Sequence, residues 1–117
     1  MAKNTIRSSI QDHIRTMAKD RSGGEEREIE ILLYAAELNQ HCPKKDFYAF
    51  KAGDVAPVLH KFLTDQQVNQ ECVRVVFGVG KGVVRGVVLE ELERLQAEGL
   101  IRGFKIESKG VSCVIVF

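Results

Sequence analysis

The sequence predicts an α+β domain, and three features of its second half carry that prediction. Val84, Val88, Leu92 and Leu95 recur at helical spacing with Leu89 beside them, so residues 82–98 form a long, clearly marked helix. Gly99 stands where a helix ends in a left-handed residue. Residues 100–108 and 111–117 then alternate about Lys109-Gly110 and read as two strands joined by a tight turn.

The preceding elements follow in order. Ile6, Ile10, Ile14 and Met17 give residues 5–19 a narrow apolar helical stripe, suited to packing on the domain or on the same helix of a second subunit. Arg21-Ser22-Gly23-Gly24 interrupts the pattern. Residues 25–40 form a second helix: acidic residues crowd its first turn, where the helix dipole favours them, and Ile29, Leu32, Leu33 and Ala36 supply its buried stripe. Asp46-Phe47-Tyr48-Ala49-Phe50 is a short strand or an aromatic-rich connection. Asp54 as N-cap and Pro57 in the first turn start a helix over 55–63. Thr64-Asp65-Gln66-Gln67 matches a capping box and predicts a separate short helix over 65–72. Residues 72–77 are β-branched and alternating enough to be a strand, with continuation of the preceding helix as the alternative, and Gly78, Gly80 and Gly82 punctuate the chain after them.

A chain of 117 residues with 44% hydrophobic and 28% charged residues fits one globular domain, divided here into an arm, 1–21, and a body, 25–117. No apolar run approaches the roughly 20 residues that span a bilayer, so a cytoplasmic, non-membrane protein is expected. Cys42, Cys72 and Cys113 are odd in number and widely spaced, which predicts reduced thiols rather than a disulfide framework. Net charge is +1, but the charges are blocked: residues 1–21 carry a local +3, and 25–40 hold five glutamates against Arg27. Such blocks can sort onto different faces and leave a basic surface for phosphates, or serve only as solvated, salt-laced faces.

The run Leu92-Glu93-Arg94-Leu95-Gln96-Ala97-Glu98-Gly99-Leu100-Ile101 resembles the end of the recognition helix in the winged helix-turn-helix superfamily. Phe50-Lys51-Ala52-Gly53-Asp54-Val55-Ala56 is similar to the start of that superfamily's second helix. The resemblance implies a winged helix-turn-helix with an extra N-terminal helix and a C-terminal β-hairpin wing. It further implies a small transcriptional regulator that binds double-stranded DNA, and the stripe of residues 5–19 offers a possible homodimer contact for it. Lys81 and Arg85 are then the candidate base readers on the recognition helix. Arg102, Lys105 and Lys109 on the wing, with Lys51 and Lys61 on the second helix, are the candidate phosphate contacts. The alternative is a winged helix that binds protein through Val83–Val88 and its glycines.

Other chemistries find less in the sequence. Gly78-Val79-Gly80-Lys81-Gly82 invites phosphate, but Lys81 is followed by glycine and no hydroxyl is placed for magnesium, so the nucleotide-loop pattern is incomplete. His13, His41 and His60 share no metal-ligand spacing with the cysteines. No nucleophile lies in a recognisable motif, so neither an enzyme nor a cofactor or metal is expected.

Overall fold

The computed structural model describes residues 24–79 and 82–117. The chain order is α1 (Gly24–Leu38), β1 (Lys44–Asp46), α2 (Ala52–Gln67), β2 (Cys72–Val76), α3 (Val83–Ala97), β3 (Gly103–Ile106) and β4 (Ser112–Val116). The predicted helix over 5–19, and with it the proposed dimer contact, lies outside the described residues. No described helix is long and apolar enough to cross a membrane.

The strands form one mixed sheet in the order β1-β2-β4-β3. β1 runs parallel to β2, with Lys44 opposite Arg74, while β4 runs antiparallel to both β2 and β3. Alternation along the strands sorts side chains to two covered faces. Val73, Val75 and Phe77 join Cys113, Ile115 and Phe117 against Val55, Leu59 and Leu63 of α2 and Val88, Leu92 and Leu95 of α3. Cys72, Val114 and Val116 turn the other way, against Leu32, Leu33 and Ala36 of α1. Every residue of β4 is buried. Full burial of a Val or Leu side chain contributes about 1.5–3 kcal/mol, so the middle of this sheet is the stabilising centre of the fold.

This architecture overturns the winged helix assignment while keeping the α+β class. A wing is a hairpin standing beside a helical bundle, whereas here β4 is an inner strand with helices over both faces. The junction that suggested the resemblance is real but general. Leu100 N–H donates to Leu95 O (3.0 Å) and Gly99 N–H to Gln96 O (3.1 Å), with Gly99 at φ 85°. That pair of bonds ends a helix on glycine in any fold that sends the chain back onto its own core.

Other differences have local causes. The expected break near Thr64 is absent because Thr64 Oγ1 donates back to His60 O (2.8 Å) and Lys61 pairs with Asp65 across the junction, so α2 runs on to Gln67. The same helix starts earlier than expected. Lys51 is its N-cap with no side-chain cap bond, Asp54 falls in the first turn, and Pro57 lies inside the helix.

Cys42 and Cys72, expected as separate thiols, form a disulfide with Cα atoms 5.9 Å apart. The parallel register explains it, for two residues before the Lys44 and Arg74 pair come Cys42 and Cys72. A separation of 30 residues carries no sign of that pairing. Beside them, Arg74 ties α1 to the sheet. Its guanidinium donates to Ala36 O (3.3 Å), Glu37 O (3.2 Å) and Asn39 O (3.2 Å), carbonyls at the end of α1, and pairs with Glu107 (2.5 Å).

Candidate functional site

β1, β2 and β3 share one direction, so the connections at 47–51, 77–82 and 107–111 all emerge at the same end of the sheet. In open sheets with parallel strands, ligands bind in the crevice outside the carboxyl ends of those strands. A cleft of about 490 Å³ lies there, lined by Tyr48, Phe50, Ala52, Phe77, Gly78, Gly82, Val83, Val84 and Arg85.

Each wall is set by local bonding. Asp46 Oδ1 accepts from Tyr48 N–H (2.8 Å), and Phe50 N–H donates to Phe47 O (3.0 Å), which turns the chain sharply after β1. Phe47 is fully buried and meets Phe50 edge to face, with ring centroids 4.8 Å apart, so Phe50 is anchored from beneath. Tyr48 is 60% exposed, and its ring lies against Gly78. Gly78 has φ 73°, and a Cβ there would overlap Tyr48 Cδ2 and stand 3.1 Å from Cε2. Both the backbone and the aromatic neighbour therefore require glycine. Phe77 and Gly78 both donate to Val111 O (2.9 Å each), which ties the β2–α3 connection to the β3–β4 turn.

Positive character gathers at this end. The Arg85 guanidinium lies 5.8 Å over the Phe77 ring, and its Nη1 is 3.8 Å from where a Cβ on Gly110 would sit. Lys109, next to Gly110, is exposed. Lys51 and Gly82, the N-caps of α2 and α3, make no side-chain cap bond, so no side chain from either cap competes for the first N–H groups of these helices. Gly86, on the turn after Gly82, is exposed and has open space where a Cβ would be.

The basic residues singled out from sequence thus separate into two groups. Arg85, Lys109 and Lys51 lie around the cleft end of the sheet, and Lys81 belongs to its β2–α3 connection but falls outside the described residues. The others are committed elsewhere. Arg102 pairs with the buried Glu28 (2.8 Å), and Lys61 pairs with Asp65 (2.9 Å). Lys105 bonds Glu37 (2.7 Å), lowering that carboxyl's pKa, and lies 5.9 Å over Tyr34 on the α1 side. Arg102 and Lys105 fasten α1 to β3 and its approach rather than forming a wing surface.

Tyr48, Phe50, Phe77 and Gly78 were missed as site residues. Their signals, an aromatic-rich connection and a glycine series, were visible, but only the parallel pairing of β1 with β2 brings them together. The described lining side chains are aromatic, aliphatic or glycine, with Arg85 the one strong cation; none is a carboxylate, imidazole or thiol. His41 and His60 are exposed elsewhere.

No family model matches the chain, and no curated protein matches it in sequence. Among solved structures it is similar to the Smr domain of MutS2 from Thermus thermophilus, with a TM-score of 0.55 and 16% identity. The match covers 63% of this chain and 95% of that domain. The likeness is one of fold, and it replaces the winged helix, with the transcription regulator built on it, by an Smr-like α+β sheet.

Proposed function

We propose that this chain is an Smr-type nucleic-acid-binding domain that holds its ligand in the cleft at the carboxyl end of β1 and β2 and does not cleave it. The observation that carries the reading is the convergence there of exposed Tyr48, the Arg85 guanidinium and the N-terminus of α3. Arginine and backbone N–H groups at a helix start hold phosphate, and an exposed aromatic ring receives a base. The neighbouring Lys109 and Lys51, expected from the sequence as phosphate contacts, extend this surface. A cytoplasmic address remains part of the proposal.

Cleavage of a phosphodiester needs a group to activate the attacking nucleophile and another to stabilise the leaving oxygen. Arg85 can offset charge on phosphate, but the described lining supplies no proton acceptor near neutrality. Binding without turnover is therefore the reading that the lining favours.

An NMR titration with a mixed-sequence oligonucleotide tests this. Amide shifts should concentrate in 47–51, 77–86 and 107–111, and the oligonucleotide should keep its length after prolonged incubation with magnesium or manganese. Shifts confined to the α1 side, or shortening of the oligonucleotide by the purified chain and not by an Arg85→Ala variant, would overturn the proposal.

A further inference from the structure

Resting on that reading, we infer that the cleft selects an unpaired nucleobase, stacked on Tyr48, with its adjoining phosphate on Arg85 and the start of α3. The Cδ2 edge of the Tyr48 ring abuts Gly78, and the residue is nevertheless 60% exposed. The ring is thus anchored along one edge and largely open to solvent, as a stacking platform must be. Phe50 and Phe77 extend the apolar wall, and the cleft, at about 490 Å³, has the size of a small-ligand site.

A duplex does not use such a surface. Its bases are already stacked on each other and present only edges in the grooves, with sugar and phosphate outside. An aromatic ring set inside a cleft reaches a base face only where the base is unpaired, as in a single strand, a loop or an end. The rest of the wall agrees with a strand passing close by: Gly82 and Gly86, which flank Val83, Val84 and Arg85 at the start of α3, have open space where a Cβ would be, so a sugar-phosphate backbone can come near the helix beside Arg85. Arg85 stands one residue before Gly86 and is exposed over Phe77, in position to pair with a phosphate beside the stacked base.

The chain has two tyrosines and no tryptophan, so in a full-length Tyr34→Phe variant Tyr48 is the sole tyrosine emitter. This variant is titrated with an oligothymidine single strand, a blunt duplex of equal length and thymidine monophosphate, with anisotropy of labelled strands measured in parallel. The single strand should quench Tyr48 emission and bind at least tenfold more tightly than the duplex or the mononucleotide. Tyr48→Ala should weaken single-strand binding by about tenfold and leave duplex binding unchanged, while Tyr48→Phe keeps the preference. Equal affinity for single strand and duplex, equal affinity for the mononucleotide, or binding without change in Tyr48 emission would overturn the inference while leaving nucleic-acid binding in place. Failure of every polynucleotide to bind would remove the underlying reading as well.

Discussion

Gly78 and Gly86 lie close in sequence and should respond to alanine with opposite signs. At Gly78 two penalties combine. A φ of 73° puts an L-residue in the left-handed region, at roughly 1–2 kcal/mol. The new Cβ would also overlap the Tyr48 ring, which must rotate off its seat. Because Tyr48 is largely exposed, that movement costs only part of a packing contact, and Gly78→Ala should lose about 2 kcal/mol in total. For a domain of this size the loss lowers the melting temperature by roughly 10 °C. Gly86 is helical, exposed and free of neighbours within 4 Å, so Gly86→Ala should gain about 0.5–1 kcal/mol from helix propensity. Urea and thermal unfolding followed by circular dichroism read both. A loss under 0.5 kcal/mol for Gly78→Ala, or a comparable loss for Gly86→Ala, would refute the account of the β2–α3 connection.

Arg74→Met should cost about 3 kcal/mol, since it leaves Glu107 and the carbonyls at the end of α1 without their cation; denaturant unfolding checks this. Reducing the Cys42–Cys72 bond should lower stability by roughly 3.5–4 kcal/mol for a separation of 30 residues, read by unfolding with and without a phosphine reductant. Burial, with Glu107 adding to it, pushes the Cys113 thiol up to about 12 from 9.0. The native protein should therefore resist iodoacetamide at pH 8 and react once unfolded. Between pH 9 and 12 the unfolded thiol loses a proton that the folded one keeps. Cys113 should thus lower stability by about 1.4 kcal/mol for each pH unit as pH rises through that window, an effect absent in Cys113→Ala.

Local chemistry made much of the element order legible. The acidic first turn and Leu32, Leu33 and Ala36 marked α1, the β-branched run marked β2, and Gly99 and the Lys109-Gly110 turn marked the end of α3 and the β3–β4 hairpin. What could not be read was which strands pair. A winged helix and the sheet of this chain both send a helix through a glycine into a hairpin, and the junction at Leu92–Ile101 satisfies either. The distinction lies in β4, whose residues are buried on both faces because it enters the sheet between β2 and β3. Its apolar run, Val114-Ile115-Val116-Phe117, was the available sign of a two-sided strand rather than an exposed wing. The site shows the same division. Arg85 and Lys109 were legible as exposed cations, but the ion pairs of Arg102 with Glu28 and Lys105 with Glu37 span 74 and 68 residues, and no local pattern announces them. The disulfide and the seating of Tyr48 on Gly78 likewise depend on the parallel register of β1 and β2.

The central claim, that the cleft end of the sheet binds nucleic acid through its own cation, is tested most directly by exchanging one basic residue at a time. Anisotropy of a labelled oligonucleotide is measured at two salt concentrations for the wild type, Arg85→Ala and Lys61→Ala. Arg85→Ala should bind about tenfold more weakly with a shallower salt dependence, whereas Lys61→Ala, paired with Asp65 on α2, should match the wild type. Equal affinity for all three chains, or no binding by any of them at low salt, would contradict the account.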